Sequence, residues 1–165
     1  MTFRAVRILR EVDRIACEDT RVTRRLSDHF GIDTPLMRHE AHNEAASTDG
    51  ILALLKRGES VALVSDAGTP CINDPGQRLI AAAIGDGYPV IPIPGASSLI
   101  VALSASGLPT EQFTFHGFFP KKTRARRAMV STLASGTHAF FCPARDLPLI
   151  VDDLTETHPQ TELVV

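Results

Sequence analysis

The chain has 165 residues, of which 44% are hydrophobic and 22% charged, so its composition is that of a globular protein with a buried core. Its net charge of −2 excludes a protein that coats nucleic acid with its whole surface, but is compatible with a local basic patch. No apolar run is as long as a membrane span, and no signal-peptide core is recognisable. The three widely spaced cysteines form no CxxC pair and indicate free thiols, so we expect a cytoplasmic protein.

Helix and strand patterns alternate along the first half of the sequence. Apolar residues at helical spacing around Leu9 predict an opening helix. The short apolar run Ile15–Cys17 predicts a strand, and the next helix is predicted to have Thr20 as its N-cap and Gly31 as its C-cap. Further along, the pattern predicts a weak strand at Pro35–Met37, a helix around Ile51–Leu55 that ends at Gly58, and a strand at Val61–Val64 that is buried on both faces.

The same alternation continues up to Pro109. The pattern predicts a helix that ends at Ala83, a strand at Val90–Ile93, and an apolar helix at Leu99–Ala105 capped by Ser97 or Ser98. Strands that alternate with helices in this way predict an α/β fold, with a mostly parallel sheet and helices on both faces.

After Pro109 the composition changes. Four of the eight phenylalanines fall within seven positions, at Phe113, Phe115, Phe118 and Phe119. A basic helix at Lys121–Leu133, a strand at His138–Cys142, a helix at Leu147–Thr155 and a last apolar run at Leu163–Val165 are predicted to follow. We therefore expect two domains, an α/β domain over residues 1–109 and a partial second α/β domain over residues 110–165.

Two loops rich in small residues follow predicted strands. The first contains Ser65, Asp66, Ala67, Gly68, Thr69 and Pro70, and the second contains Pro94, Gly95, Ala96 and Ser97. Glycine lets a backbone approach a ligand closely and leaves amide groups free to bind it, although the same residues also favour plain turns and helix caps. Because the carboxyl ends of parallel strands gather at one crevice, the two loops together favour a ligand site.

Six motifs in chain order carry a resemblance to a known family. They are Ala16-Cys17-Glu18-Asp19-Thr20-Arg21, His39-Glu40-Ala41-His42-Asn43-Glu44, Ser65-Asp66-Ala67-Gly68-Thr69-Pro70, Pro94-Gly95-Ala96-Ser97, Ser106-Gly107-Leu108-Pro109 and Gly117-Phe118-Phe119-Pro120-Lys121-Lys122. Each motif is weak alone, but the series over nearly the whole chain resembles the ribosomal RNA ribose methyltransferases of the tetrapyrrole-methylase superfamily. These are class III methyltransferases that use S-adenosylmethionine.

The resemblance implies a two-domain α/β enzyme, usually a homodimer, that binds S-adenosylmethionine between its domains. It implies methylation of the 2′-hydroxyl of a cytidine in 16S ribosomal RNA of the small ribosomal subunit. The family's cofactor loops correspond here to residues 65–70 and 94–97.

The same resemblance singles out residues on the substrate side. Glu18, Asp19 and Arg21 follow a predicted strand, where a carboxylate could act as a general base, or where an acid and its ion pair could simply cap a helix. His42 and Asn43 would contact substrate or brace a loop. The H-x-x-H spacing of His39 and His42 is not that of a zinc motif, so we expect no metal.

The densest basic run consists of Lys121, Lys122, Arg124, Arg126 and Arg127. These residues could form a solvated helix face, but an RNA substrate needs a positive surface on a protein of near-neutral charge. We therefore expect these side chains to contact RNA phosphates, and most of the neighbouring phenylalanines to pack in the core.

The sequence departs from the family pattern in three places. The family begins with an earlier strand and a loop of the Thr-Pro-x-Gly-Asn type and continues beyond Val165, and the segment Cys142–Asp146 replaces a Glu-Ser and a His-Arg pair. On this basis we expect a chain truncated at both ends, with impaired activity. Two alternatives stay open: a tetrapyrrole methylase of corrin or siroheme synthesis, and a non-catalytic remnant that binds RNA or dimerises.

Overall fold

The computed structural model describes residues 1–165, which divide into two compact units at Ser97 and Ser98. The predicted domain boundary near Pro109 concerns the family's two-domain organisation and stays a prediction. No helix is both long and apolar enough to cross a membrane.

The first unit contains four helices and three strands. In chain order they are α1 (Phe3–Glu11), β1 (Arg14–Cys17), α2 (Thr20–Phe30), β2 (Leu36–Arg38), α3 (Glu44–Lys56), β3 (Val61–Val64) and α4 (Gln77–Gly85), with a 3₁₀ turn at Ala41–Asn43. The strands form a parallel sheet in the order β2-β1-β3. The predicted α/β fold with a parallel sheet is therefore confirmed.

Strand β1 is central in this sheet and is the most deeply buried element. Ile15 and Ala16 are both fully buried but belong to two different apolar clusters, because successive residues on a strand point to opposite faces. One cluster contains Leu9 of α1, and the other contains Ile51 of α3 and Leu79 of α4. Helices thus cover both faces of the sheet.

The structure confirms one of the two predicted caps of α2 and corrects the other. Gly31 ends the helix with φ +59°, in the left-handed region that glycine adopts without strain, so the predicted C-cap is confirmed. The predicted N-cap at Thr20 is wrong, because Asp19 is the capping residue and its carboxylate accepts a hydrogen bond from the Arg21 amide. An aspartate is as good a cap as a threonine, and the helix begins one residue earlier than the pattern suggested.

The predicted strand at Val90–Ile93 is wrong. The segment has no regular structure, and 66% of the surface of Ile91 is exposed. A strand requires a neighbour for its backbone hydrogen bonds, and β3 pairs only with β1. High β-propensity alone therefore does not make this segment a strand.

The second unit contains three helices and two parallel strands. They are α5 (Ser98–Ser106), β4 (Phe113–Phe118), α6 (Thr123–Val130), β5 (Thr137–Phe141) and α7 (Leu147–Thr157), with a 3₁₀ turn at Ala144–Asp146. The basic helix is shorter than predicted, and the apolar run Leu163–Val165 is exposed and forms no strand, because no strand pairs with it.

Three of the four clustered phenylalanines lie on strand β4, which the sequence pattern did not predict as a strand. Phe115 and Phe119 are half-buried and pack on Phe141 and Phe140 of β5, with ring centroids 4.9 and 3.9 Å apart. Phe113 and Phe118 are exposed, so core packing is wrong for these two.

Candidate functional site at the carboxyl edge of the sheet

The carboxyl ends of the three strands of the first unit meet at one edge of the sheet. Cys17, the last residue of β1, lies beside Arg38 of β2 and Val64 of β3 in register. The residues that follow the strands are therefore neighbours, although they are far apart in sequence. A direct hydrogen bond joins two of the predicted loops, because the Asp19 amide donates to Oδ1 of Asp66 at 3.2 Å.

Several carboxylates crowd this edge and give it a negative field. Burial, followed by the charges of Asp66 and Asp74, raises the pKa of Glu18 above its ordinary value. Two like charges close together disfavour the ionised form of each, so Glu18 holds a proton more readily than an isolated glutamate.

Asp19 behaves in the opposite way because Arg21 binds it. Hydrogen bonds from the Arg21 side chain and backbone lower the pKa of Asp19, and Nη2 of Arg21 lies 2.7 Å from Oδ2 of Asp19. Asp19 therefore caps α2 and forms an ion pair with Arg21, which is the helix-capping alternative of the sequence analysis. The pair lies at the same edge as Glu18 and Asp66, and its role in catalysis stays a prediction.

The loop 65–76 is held at both ends and open in its middle. Near the start of the loop, the Asp66 carboxylate accepts a hydrogen bond from the Asp19 amide. At the end of the loop, the Glu44 carboxylate accepts a hydrogen bond from the Gly76 amide at 3.1 Å. Residues 66–69 between them are exposed, which leaves their backbone groups accessible to a ligand.

This loop also contains the only two residues other than glycine with a positive φ, Cys71 at 70° and Asn73 at 66°. Such conformations cost energy and persist only where the surrounding structure enforces them, and they concentrate at functional sites. At Gly76 a side chain would be strained, because φ is +126° and a Cβ there would lie 2.5 Å from Cδ2 of Leu63, which would have to move.

A cavity of about 350 Å³ adjoins the start of this loop. Its lining comprises Val22, Thr23, Arg25, Leu26 and His29 of α2 together with Val64, Ser65 and Asp66. Sequence reasoning did not assign the α2 residues to a site, although the i, i+4 spacing of Val22 and Leu26 marks the face that they share.

The histidines of the second motif take different positions. His42 and Asn43 are exposed on the 3₁₀ turn that precedes α3. His39 is buried, and its Nδ1 lies 2.8 Å from Oγ of Ser47. No group of three or more histidine, cysteine, aspartate or glutamate side chains is arranged to hold a metal ion.

The second predicted cofactor loop, residues 94–97, is mostly exposed. The hydroxyl of Thr2 donates to the Pro94 carbonyl oxygen at 3.3 Å, and no hydrogen bond joins residues 94–97 to the loop 65–70. A role for residues 94–97 in cofactor binding stays a prediction.

The basic run in the second unit separates into two sets. Lys121, Lys122 and Arg124 are exposed. Arg126 is only 4% exposed, and its Nε donates to Asp153 at 2.6 Å; Arg127 pairs with Asp153 and Glu156. The expected phosphate contact is therefore corrected for Arg126, since its charge is buried and already neutralised by α7.

Comparison with known proteins identifies the family. The family model described as "Tetrapyrrole (Corrin/Porphyrin) Methylases" matches residues 1–165. The chain belongs to this family of methylases. The tetrapyrrole-methylase resemblance of the motif series is therefore confirmed.

Curated relatives of this chain have a common name, "Ribosomal RNA small subunit methyltransferase I". The relative from Xylella fastidiosa is 55% identical over 131 residues, which are 79% of this chain and 48% of the relative. The relative from Synechocystis is 52% identical over 168 residues, covering 100% of this chain and 60% of the relative. The relative from Micromonospora olivasterospora is 46% identical over 155 residues, covering 92% of this chain and 50% of the relative. The chain spans about half the length of the curated relatives it matches.

Proposed function

We propose that this chain forms the cofactor-binding part of an S-adenosylmethionine-dependent methyltransferase that modifies the 2′-hydroxyl of a cytidine ribose in 16S ribosomal RNA. The observation that carries the proposal is the junction of Asp19 and Asp66 at the carboxyl edge of the sheet, in a chain that matches the methylase family along its whole length. The names of the relatives support ribosomal RNA as the substrate.

The residues of the loop 65–70 fit this cofactor. Residues 66–69 are exposed, and a Cβ at Gly68 would meet no atom within 4 Å, so the backbone is open to a bound molecule. S-adenosylmethionine supplies a methyl group on a positively charged sulfonium. The carboxylates of Asp66, Asp74 and Glu18 provide the negative field that stabilises such a charge.

We place the ribose hydroxyl on the side of Glu18, Asp19, Arg21, His42 and Asn43. Methyl transfer depends mainly on alignment of the two reacting atoms, which these side chains would impose by holding the ribose. The raised pKa of Glu18 makes its carboxyl a suitable group to hold the proton that the hydroxyl loses. Asp19 is less suited to that role, because Arg21 stabilises its ionised form.

The exposed side chains of Lys121, Lys122 and Arg124 supply the positive surface that RNA phosphates require. We also propose a cytoplasmic homodimer. Support for a second copy comes from exposed apolar side chains of the second unit, among them Ile100, Val101 and Phe118. Sedimentation velocity on the purified chain tests the dimer.

Titration calorimetry with S-adenosylmethionine and S-adenosylhomocysteine tests the cofactor assignment. We expect micromolar binding, about −8 kcal/mol, that is lost in Asp66→Ala. Asp86→Ala is the matched control, because Asp86 is an exposed acid beyond the far end of α4. Failure of the folded wild-type chain to bind either compound would refute the proposal for this chain and favour the non-catalytic remnant.

The substrate class needs a separate assay, since the family description also covers corrin and porphyrin methylases. Transfer of a labelled methyl group to small ribosomal subunits, and none to a tetrapyrrole, is the expected result. The reverse outcome would identify a tetrapyrrole methylase.

A further inference from the structure

Glu44 connects the start of α3 to the end of the loop 65–76. Its Oε1 accepts the hydrogen bond of the Gly76 amide at 3.1 Å, across 32 residues of sequence. Gly76 lies directly before α4, where helix amides lack backbone partners. Glu44 also follows His42 and Asn43 without an intervening residue, so one side chain joins the proposed substrate side to the cofactor loop.

Close packing restricts Gly76, the residue that Glu44 binds. Gly76 is buried, and a Cβ at this residue would lie 2.5 Å from Leu63 and 3.0 Å from Sγ of Cys71. The backbone here is therefore packed directly on β3. A tie at this residue fixes the end of the loop relative to the sheet, while residues 66–69 stay exposed.

His39 lies behind Glu44 with one nitrogen unpaired. Oγ of Ser47 lies 2.8 Å from Nδ1 of His39, and it lies 2.9 and 3.2 Å from the carbonyl oxygens of Asn43 and Glu44. On the other side of the ring, Nε2 of His39 faces Oε1 of Glu44 at 4.0 Å, fully buried and without a hydrogen-bond partner. That distance is too long for a direct hydrogen bond, and a buried polar atom without a partner is rare.

We propose that Glu44 is the positioning residue of the cofactor loop, with its carboxylate between the Gly76 amide and the buried pair of Ser47 and His39. The carboxylate holds Gly76 on one side and faces Nε2 of His39 on the other, so displacement of Glu44 releases the end of the loop. The effect on cofactor binding rests on the proposed function; the effect on loop mobility does not.

Three variants at one position separate hydrogen bonding from charge. Glu44→Ala removes the acceptor of the Gly76 amide. Glu44→Gln keeps an acceptor oxygen for the Gly76 amide and removes the charge. Glu44→Asp keeps the charge but is one methylene too short to reach Gly76. The matched control is Glu59→Ala, since Glu59 pairs with Arg57 and Arg14 beyond the opposite end of β3.

Hydrogen exchange of the peptide that covers residues 65–76 tests the positioning without any cofactor. We expect faster exchange in Glu44→Ala and Glu44→Asp, and wild-type exchange in Glu44→Gln and Glu59→Ala. Titration of the same proteins with S-adenosylhomocysteine should show about a tenfold loss of affinity in the first two variants only. If Glu44→Ala does not fold, the comparison of Glu44→Asp with Glu44→Gln decides.

The two ideas fail in different ways. Unchanged exchange in both Glu44→Ala and Glu44→Asp, or a Glu44→Gln variant as mobile as Glu44→Ala, overturns the positioning role. A wild-type chain that binds no S-adenosylhomocysteine while Glu44→Ala still loosens the loop refutes the proposed function and leaves the positioning role supported.

Discussion

Replacing Asp153 by asparagine tests whether a buried ion pair between α6 and α7 stabilises the second unit. The side chains of Arg126 and Asp153 are 5% and 3% exposed, and Nε lies 2.6 Å from Oδ2. Removing one member of a buried pair leaves the other charge without compensation, at a cost of about 3–5 kcal/mol. Asparagine still accepts one hydrogen bond, so we expect the lower end, about 3 kcal/mol.

A loss of this size is measurable by thermal unfolding followed by circular dichroism. In a unit of fewer than 100 residues, each kcal/mol lowers Tm by about 4–8 °C, so Asp153→Asn should lower it by about 12 °C or more. Hydrogen exchange over α6 and α7 assigns the change to this unit. The neutral pair Arg126→Met with Asp153→Leu should recover most of the loss, because apolar packing replaces buried charges at little cost.

The matched control is Glu156→Gln, which makes the same charge change one turn along the same helix. Glu156 is 61% exposed and pairs with Arg127 at 2.9 Å. Exposed ion pairs contribute little, so its Tm should match the wild type. A Tm for Asp153→Asn within a few degrees of the Glu156→Gln value would refute the reasoning.

The pH dependence of the same variants has a defined sign. Burial raises the pKa of Asp153, but hydrogen bonds from Arg126 and Arg127 outweigh it, and the net pKa lies below the ordinary value of 3.8. A lowered folded pKa adds stability that is complete above the unfolded value and is lost as the pH falls through the folded one. The difference in folding stability between the wild type and Asp153→Asn should therefore become smaller below about pH 4.

Three further results are expected. Gly76→Ala should destabilise the first unit by about 1–3 kcal/mol in urea unfolding, because its Cβ would clash with Leu63 and its φ is positive. In the control Gly85→Ala, at the end of α4, the Cβ meets open space, so this variant should not destabilise the unit. Burial lowers the pKa of His39, so the unfolded chain binds more protons, and stability should fall as the pH drops below about 6.5, less so in His39→Leu. Charge reversal at the exposed basic residues Lys121, Lys122 and Arg124 should weaken RNA binding and reduce its salt dependence. Fluorescence anisotropy of a labelled RNA measures both effects.

Local pattern alone predicted most of the elements and a candidate position for the site. The apolar run of β1, the glycine that ends α2 and the continuous apolar run of β3 are signals contained in a few neighbouring residues. Alternation of such elements implies a parallel sheet, and parallel strands bring their carboxyl ends to one edge. The order of the motifs therefore indicates both the family and the loop 65–70 as a candidate site, without any knowledge of tertiary contacts.

Tertiary structure decided which groups find partners. Val90–Ile93 has the composition of a strand but no neighbour to pair with, and Arg126 belongs to a basic run yet is buried against Asp153. The bonds from Asp19 to Asp66 and from Gly76 to Glu44 join residues 47 and 32 positions apart. Periodicity reports the conformation of a short segment, whereas burial and long-range hydrogen bonds depend on how the segments pack, and no local pattern contains that information.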